Sequence, residues 1–141
     1  MSLVPVLADD EMSAEAREVI DDIRATRQTD FINNFWRVLA NDPAALKRTW
    51  ESLREVMGPG MIDPLTKEMI YVAVSIANGC EYCIRSHTAA ARKRGMSEAQ
   101  LMELQSVVAM ASETNRMAVG LQVPVDDVFK VASPAAASSD D

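Results

Sequence analysis

The sequence predicts an all-α protein, and three observations carry that expectation. Helix start and stop signals recur along the whole chain. Between them, apolar residues return at helical spacing. Only Ile70–Ile76 (IYVAVSI) has the β-branched composition of a strand. It lies between a start signal and a glycine about fifteen residues later, a length that suits a helix.

The elements follow in order. Ser13 caps a helix over about 14–26, with Val19, Ile20 and Ile23 on one face. Phe31, Phe35, Val38 and Leu39 give the next apolar segment helical spacing. Asp42-Pro43 is an N-cap followed by proline at N1, and this helix runs to about Met57, where Gly58-Pro59-Gly60 stops it. Leu46, Trp50, Leu53 and Met57 form its inward stripe. Asp63-Pro64 repeats the start signal, and Asn78-Gly79 is the matching stop. Another helix begins near Cys80 and ends at Gly95. Ser97 and Gln100 form a capping box for a helix reaching about Met117, and Asp126–Val131 suggests one further turn. One helical domain over 1–130 is expected, with a small polar tail, 131–141, left disordered.

Composition narrows the function. The 141 residues carry a net charge of −7, which argues against nucleic acid as a partner because no basic patch displaces counterions. The longest apolar run is far short of the ~20 residues that span a bilayer. The N-terminus lacks the basic and apolar regions of a signal peptide. A cytoplasmic location is the expectation, and in a reducing cytosol a CxxC pair reads as redox-active or metal-binding.

The chemistry concentrates between Glu68 and His87. This window holds both cysteines, Cys80 and Cys83, and the only histidine of the chain. On a helix Cys80, Cys83 and His87 share an arc of roughly 60°. Cys80 lies at the helix N-terminus, where free N–H groups and the helix dipole favour a thiolate. His87, one turn beyond Cys83, is placed to exchange a proton with it. A turn at Gly79 would fold Glu68 back toward this face as a base. Each residue also has a plainer reading: inert buried thiols, a structural histidine, a solvated acid in a first helical turn. The spacing of the four together outweighs those readings. Zinc would find four candidate ligands here, but three within eight residues on one helix face suit a tetrahedron poorly. A thioredoxin-like fold would need strands that the chain lacks. Tyr82 lies away from the thiols, and the nine methionines read as core filling. The spacing alone leaves open which cysteine attacks first: the dipole favours Cys80, and nearness to His87 favours Cys83.

In one-letter form the window reads E-x11-C-x2-C-x3-H. It resembles the AhpD-like alkylhydroperoxidase branch of the carboxymuconolactone decarboxylase family, and Glu68, Cys80, Cys83 and His87 match that signature at every spacing. The resemblance extends through GCEYCIRSHTAAARKRG and upstream to NDPAALKRTWESLREVMGPG, covering about 33–104. It implies an all-α, AhpD-like helical bundle assembled as a homo-trimer or homo-hexamer. It implies hydroperoxide reduction by the thiol pair, with no cofactor or metal, and regeneration by an external dithiol of protein or lipoyl type. By resemblance Cys83 is the peroxidatic thiol, Cys80 resolves its sulfenate, and Glu68 with His87 relays the proton. The chain departs from the best-studied members in carrying Tyr82, where they have a histidine between the cysteines. Members without CxxC act as lactone decarboxylases, an activity the intact thiol pair argues against. Two readings from other classes remain: a non-enzymatic redox sensor, and a metal-binding helical protein.

Overall fold

The computed structural model describes residues 2–130, so the tail expected over 131–141 lies outside the described residues. Among these residues regular structure is helical throughout: α1 (Ala14–Arg27), α2 (Asn34–Leu39), α3 (Pro43–Met57), α4 (Pro64–Ala77), α5 (Glu81–Lys93) and α6 (Glu98–Gly120), with short 3-10 turns at Asp9–Glu11 and Asp127–Phe129. The strand-like segment around Ile70 is the middle of α4, as its length predicts. The chain divides into two compact units, Met1–Pro64 and Leu65–Asp141.

In the first unit α1 and α2 pack against α3. The start signals act as the sequence reads: Ser13 Oγ accepts from Ala16 N–H and an Asp42 carboxylate oxygen accepts from Ala45 N–H. The core joins Met12, Ala16, Ile20, Ile23, Ile32, Trp36, Ala40, Leu46 and Trp50. Trp36 and Trp50 meet edge to face, 5.7 Å between centroids at 86°, the geometry favoured by the ring quadrupoles. The Arg27 guanidinium lies over both rings at 5.4 and 5.3 Å. Trp50 Nε1–H donates to Asp22, which Arg54 also holds.

One predicted face needs correction. Phe31 is exposed and Ile32 is buried in its place. The helix starts at Asn34, so 31 and 32 lie in non-helical backbone and do not follow its helical spacing. Within α2 the buried position is Trp36, and Phe35 stays half exposed against its edge.

The second unit contains α4, α5 and α6, and among its described residues few are buried: Glu68, Val72, Ser75, Ala91, Met96 and Leu104. Two tight turns set its geometry. At the end of α4, Gly79 N–H bonds to Ile76 O and Cys80 N–H to Ser75 O, with Gly79 at φ +66°. This is a Schellman turn with glycine in the left-handed position. At the end of α5, Gly95 N–H bonds to Arg92 O and Met96 N–H to Ala91 O, with Gly95 at φ +98°. The Ser97–Gln100 capping box is formed in both directions, at 2.8 and 3.1 Å. The nine methionines divide: Met12 and Met96 are buried, whereas Met61, Met102, Met110 and Met117 are exposed.

Candidate active site

The Schellman turn at Gly79 delivers the chain from α4 straight to Cys80, which is the N-cap residue of α5. Both cysteines are free thiols of intermediate burial. Cys83 sits inside the first turn of α5 and His87 one turn further. On α4 Glu68 is 5% exposed, an unusual depth for a carboxylate unless its oxygens are engaged. They are. Its Oε2 lies 2.7 Å from His87 Nδ1, and its Oε1 faces Arg94 Nε at 3.5 Å in an ion pair. The reverse turn therefore does what the spacing predicts: it brings Glu68 from one helix onto the histidine of the next.

The thiols differ in their electrostatics. The Cys80 thiol is held below the ordinary cysteine range. The first cause is the hydrogen bond from the Cys83 thiol, followed by the backbone N–H groups of Cys83 and, more weakly, Tyr82; burial opposes them. These N–H groups act from the start of the helix without a formal cap hydrogen bond, as a helix N-terminus does toward a thiolate. The Cys83 thiol is pushed up to about 11. Burial is the main cause, and its hydrogen bond and proximity to Cys80 add to it. Two neighbouring thiols do not ionise together, and the first negative charge settles on the better stabilised sulfur.

Two further residues border the site. The Tyr71 ring stacks on the His87 ring, with centroids 3.5 Å apart and planes 17° from parallel. Burial pushes the Tyr71 hydroxyl above its ordinary range, and Cys83, Cys80 and Glu68 add to the shift, which sets Tyr71 within electrostatic reach of all three. Arg94, at the C-cap of α5, supplies the cation on Glu68. Sequence reasoning missed both. The signal for Tyr71 was its place three residues after Glu68, on the same face of α4. For Arg94 it was the seven-residue step from His87, two helical turns along one face. Tyr82, away from the thiols by helical spacing, is 42% exposed. Among the described residues no three His, Cys, Asp or Glu side chains gather in a way that would hold a metal ion, and no helix is long and apolar enough to cross a membrane.

Comparison with known proteins agrees with this architecture. A sequence model of the carboxymuconolactone decarboxylase family matches residues 43–126. The chain is 40% identical over 48 residues to an uncharacterised protein 4 in the cox locus of Paracoccus denitrificans. It is 27% identical over 82 residues to an uncharacterised protein of Cupriavidus necator. The aligned segments cover 34% and 58% of this chain, and 43% and 73% of those proteins. Among solved structures, the chain superposes on an alkylhydroperoxidase AhpD core from Rhodospirillum rubrum with a TM-score of 0.89 and 55% identity, over 94% of this chain and 99% of that one. Matched sequence from α3 onward and a shared backbone over nearly the whole length lead to one assignment: the chain belongs to the carboxymuconolactone decarboxylase family, in its AhpD-like branch.

Proposed function

We propose that this protein reduces hydroperoxides with the Cys80–Cys83 dithiol, assisted by a Glu68–His87 proton relay. One observation carries the reading: two free, unequally acidic thiols open a helix whose histidine is hydrogen-bonded to a buried glutamate. The 55% identity to a chain described as an alkylhydroperoxidase AhpD core supports it.

The cycle begins with Cys83. A thiol near 11 is ionised in roughly one molecule in ten thousand at pH 7, so it needs a base. His87 takes the proton, and Glu68 stabilises the resulting imidazolium through Nδ1. The Cys83 thiolate attacks the outer oxygen of ROOH. An S–O bond forms, the O–O bond breaks, and the leaving alkoxide takes the proton that His87 had accepted, becoming ROH. The Cys80 thiolate then attacks the Cys83 sulfenic acid. An S–S bond forms, the S–O bond breaks, and the oxygen leaves as hydroxide, which takes a proton from solvent to become water. An external dithiol of protein or lipoyl class reduces the disulfide and is itself oxidised to a disulfide. Cys80's lowered thiol on its own favours the opposite order, with Cys80 attacking peroxide first.

We infer that the working unit is a cytoplasmic homo-trimer or homo-hexamer. The exposed apolar side chains of α4 (Ile70, Val74) and α6 (Met102, Val107, Met110, Met117) support it, since large apolar patches mark interfaces.

The test is stoichiometry followed by turnover. Reduced protein treated with tert-butyl hydroperoxide should lose two thiols per chain and form a disulfide within the peptide holding Cys80 and Cys83. Dithiothreitol or dihydrolipoamide should then sustain continued peroxide consumption. A single oxidation without cycling would make the protein a redox sensor, and retention of both thiols would sink the redox reading altogether.

A further inference from the structure

Glu68 has two oxygens and two different partners. Oε2 belongs to His87 Nδ1 at 2.7 Å, and Oε1 to Arg94 Nε at 3.5 Å. The glutamate side chain is 7% exposed and that of Arg94 46%, so the cation reaches inward from the surface to a buried carboxylate. Arg94 is fourteen residues after Cys80 and seven after His87. At about 100° per residue it falls in the same arc of roughly 60° as Cys80, Cys83 and His87. The left-handed Gly95 directly after it ends α5 in a fixed turn, which pins the Arg94 backbone.

The imidazole is held on a second side as well. Tyr71 projects from α4 three residues after Glu68, so both leave one face of that helix. Glu68 meets the edge of the ring at Nδ1, and Tyr71 lies flat against its face, 3.5 Å between centroids. One helix therefore grips the histidine at edge and face, and the histidine's own helix supplies the charge that holds the gripping carboxylate.

A histidine that takes a proton from a thiol must present a bare ring nitrogen, and the hydrogen bond on the other nitrogen decides which one is bare. When Glu68 accepts, the ring proton stays on Nδ1 and Nε2 is the base. A glutamate that rotated away would remove that constraint. A permanently charged guanidinium against Oε1 opposes that rotation. Among the described residues, the titratable and charged groups that bear on this unit include Glu68 and Tyr71 from α4, Arg94 at the α5 C-cap, and Cys80 and Cys83, which act on Tyr71. We propose that Arg94 and Tyr71 are positioning residues that hold His87 in the Nδ1–H tautomer and in one ring orientation, leaving Nε2 as the proton acceptor. The value of this arrangement to catalysis rests on the thiol-peroxidase reading of the site; the tautomer itself does not.

The chain has a single histidine, so protein labelled with ¹⁵N-histidine gives one imidazole spectrum. At a pH where the ring is neutral, the unaltered protein should show a protonated Nδ1 and a bare Nε2. Arg94→Gln and Tyr71→Leu should draw the two nitrogen shifts toward each other as the tautomers mix. Arg94→Lys keeps a cation against a single oxygen contact, and Tyr71→Phe keeps the stack; both should hold the original pattern. Turnover of tert-butyl hydroperoxide should fall about tenfold in Arg94→Gln, a part of the ~10²–10⁴-fold that a positioned acid–base group supplies, and most of it should return in Arg94→Lys. Arg94 is half exposed, so its variants keep the test available even if Tyr71→Leu fails to fold. A proton found on Nε2 in the unaltered protein, or nitrogen shifts indifferent to Arg94→Gln, would overturn the proposal. If the unaltered protein does not consume hydroperoxide, the peroxidase reading falls, and the nitrogen spectrum still decides the positioning roles.

Discussion

Cys80 and Cys83 are three residues apart and chemically unequal because they meet different surroundings. Cys80 takes hydrogen bonds from Cys83 and from the start of the helix, which stabilise its thiolate. Cys83 is more buried and donates its S–H hydrogen bond to Cys80, so it keeps its proton to about 11. Single substitutions read the consequence. In Cys80→Ser, Cys83 should form one sulfenic acid with peroxide, trapped by a dimedone-type probe, and should not cycle. In Cys83→Ser, peroxide consumption should be abolished and the probe should find nothing. Labelling of Cys83→Ser alone would reverse the roles and make Cys80 the peroxidatic thiol. Rates of thiol alkylation carry the sign of the same asymmetry. Cys80 is ionised at lower pH than an ordinary cysteine, so its alkylation should reach its plateau at lower pH than that of Cys83.

At the scale of elements, the site depends on the turn between α4 and α5. That turn needs a residue at φ +66°, and Gly79 supplies it. A Cβ added there meets nothing within 4 Å, so the obstacle to substitution is backbone conformation and not collision. Left-handed backbone costs a non-glycine residue about 1–2 kcal/mol. Gly79→Ala should therefore lower stability by about 1 kcal/mol in urea unfolding, and Gly79→Asn by less, because asparagine tolerates this region better. Activity should fall further than stability in Gly79→Ala, since the turn also sets Cys80 at the N-cap and Glu68 opposite His87. An equal effect of Ala and Asn would mean that the turn's handedness is not what limits the site. The capping box at Ser97 and the caps at Ser13 and Asp42 are local devices of the same kind, and each formed where the sequence places it.

For the whole molecule, the distribution of apolar surface is the main clue. The first unit closes a core around two tryptophans. In the second, α6 runs for 23 residues with Leu104 as its one buried residue, while Met102, Val107, Met110 and Met117 are exposed. An isolated chain would leave that surface in water, and association of identical chains would cover it. Light scattering or sedimentation at micromolar concentration should give three or six times the 15.4 kDa chain mass. Val107→Asp combined with Met110→Asp should shift the particle toward the single-chain mass, because buried unpaired carboxylates oppose the contact. A monodisperse particle of one chain in the unaltered protein would refute the oligomer.

Helix boundaries, caps and the Glu68–Cys80–Cys83–His87 window were legible in the sequence because they rest on local rules. A proline at N1, a glycine at C′ and an i, i+3, i+7 spacing act within a few residues of themselves. Tertiary structure decided what depends on which surfaces meet. It put Ile32 into the core in place of Phe31, because helical spacing does not extend ahead of Asn34. It separated the two thiols in acidity, because burial and the direction of one hydrogen bond differ between them. It also recruited Tyr71 and Arg94 to the histidine–glutamate pair. Neither belongs to the spacing signature, and their contacts exist only once the turn at Gly79 has laid one helix against the next.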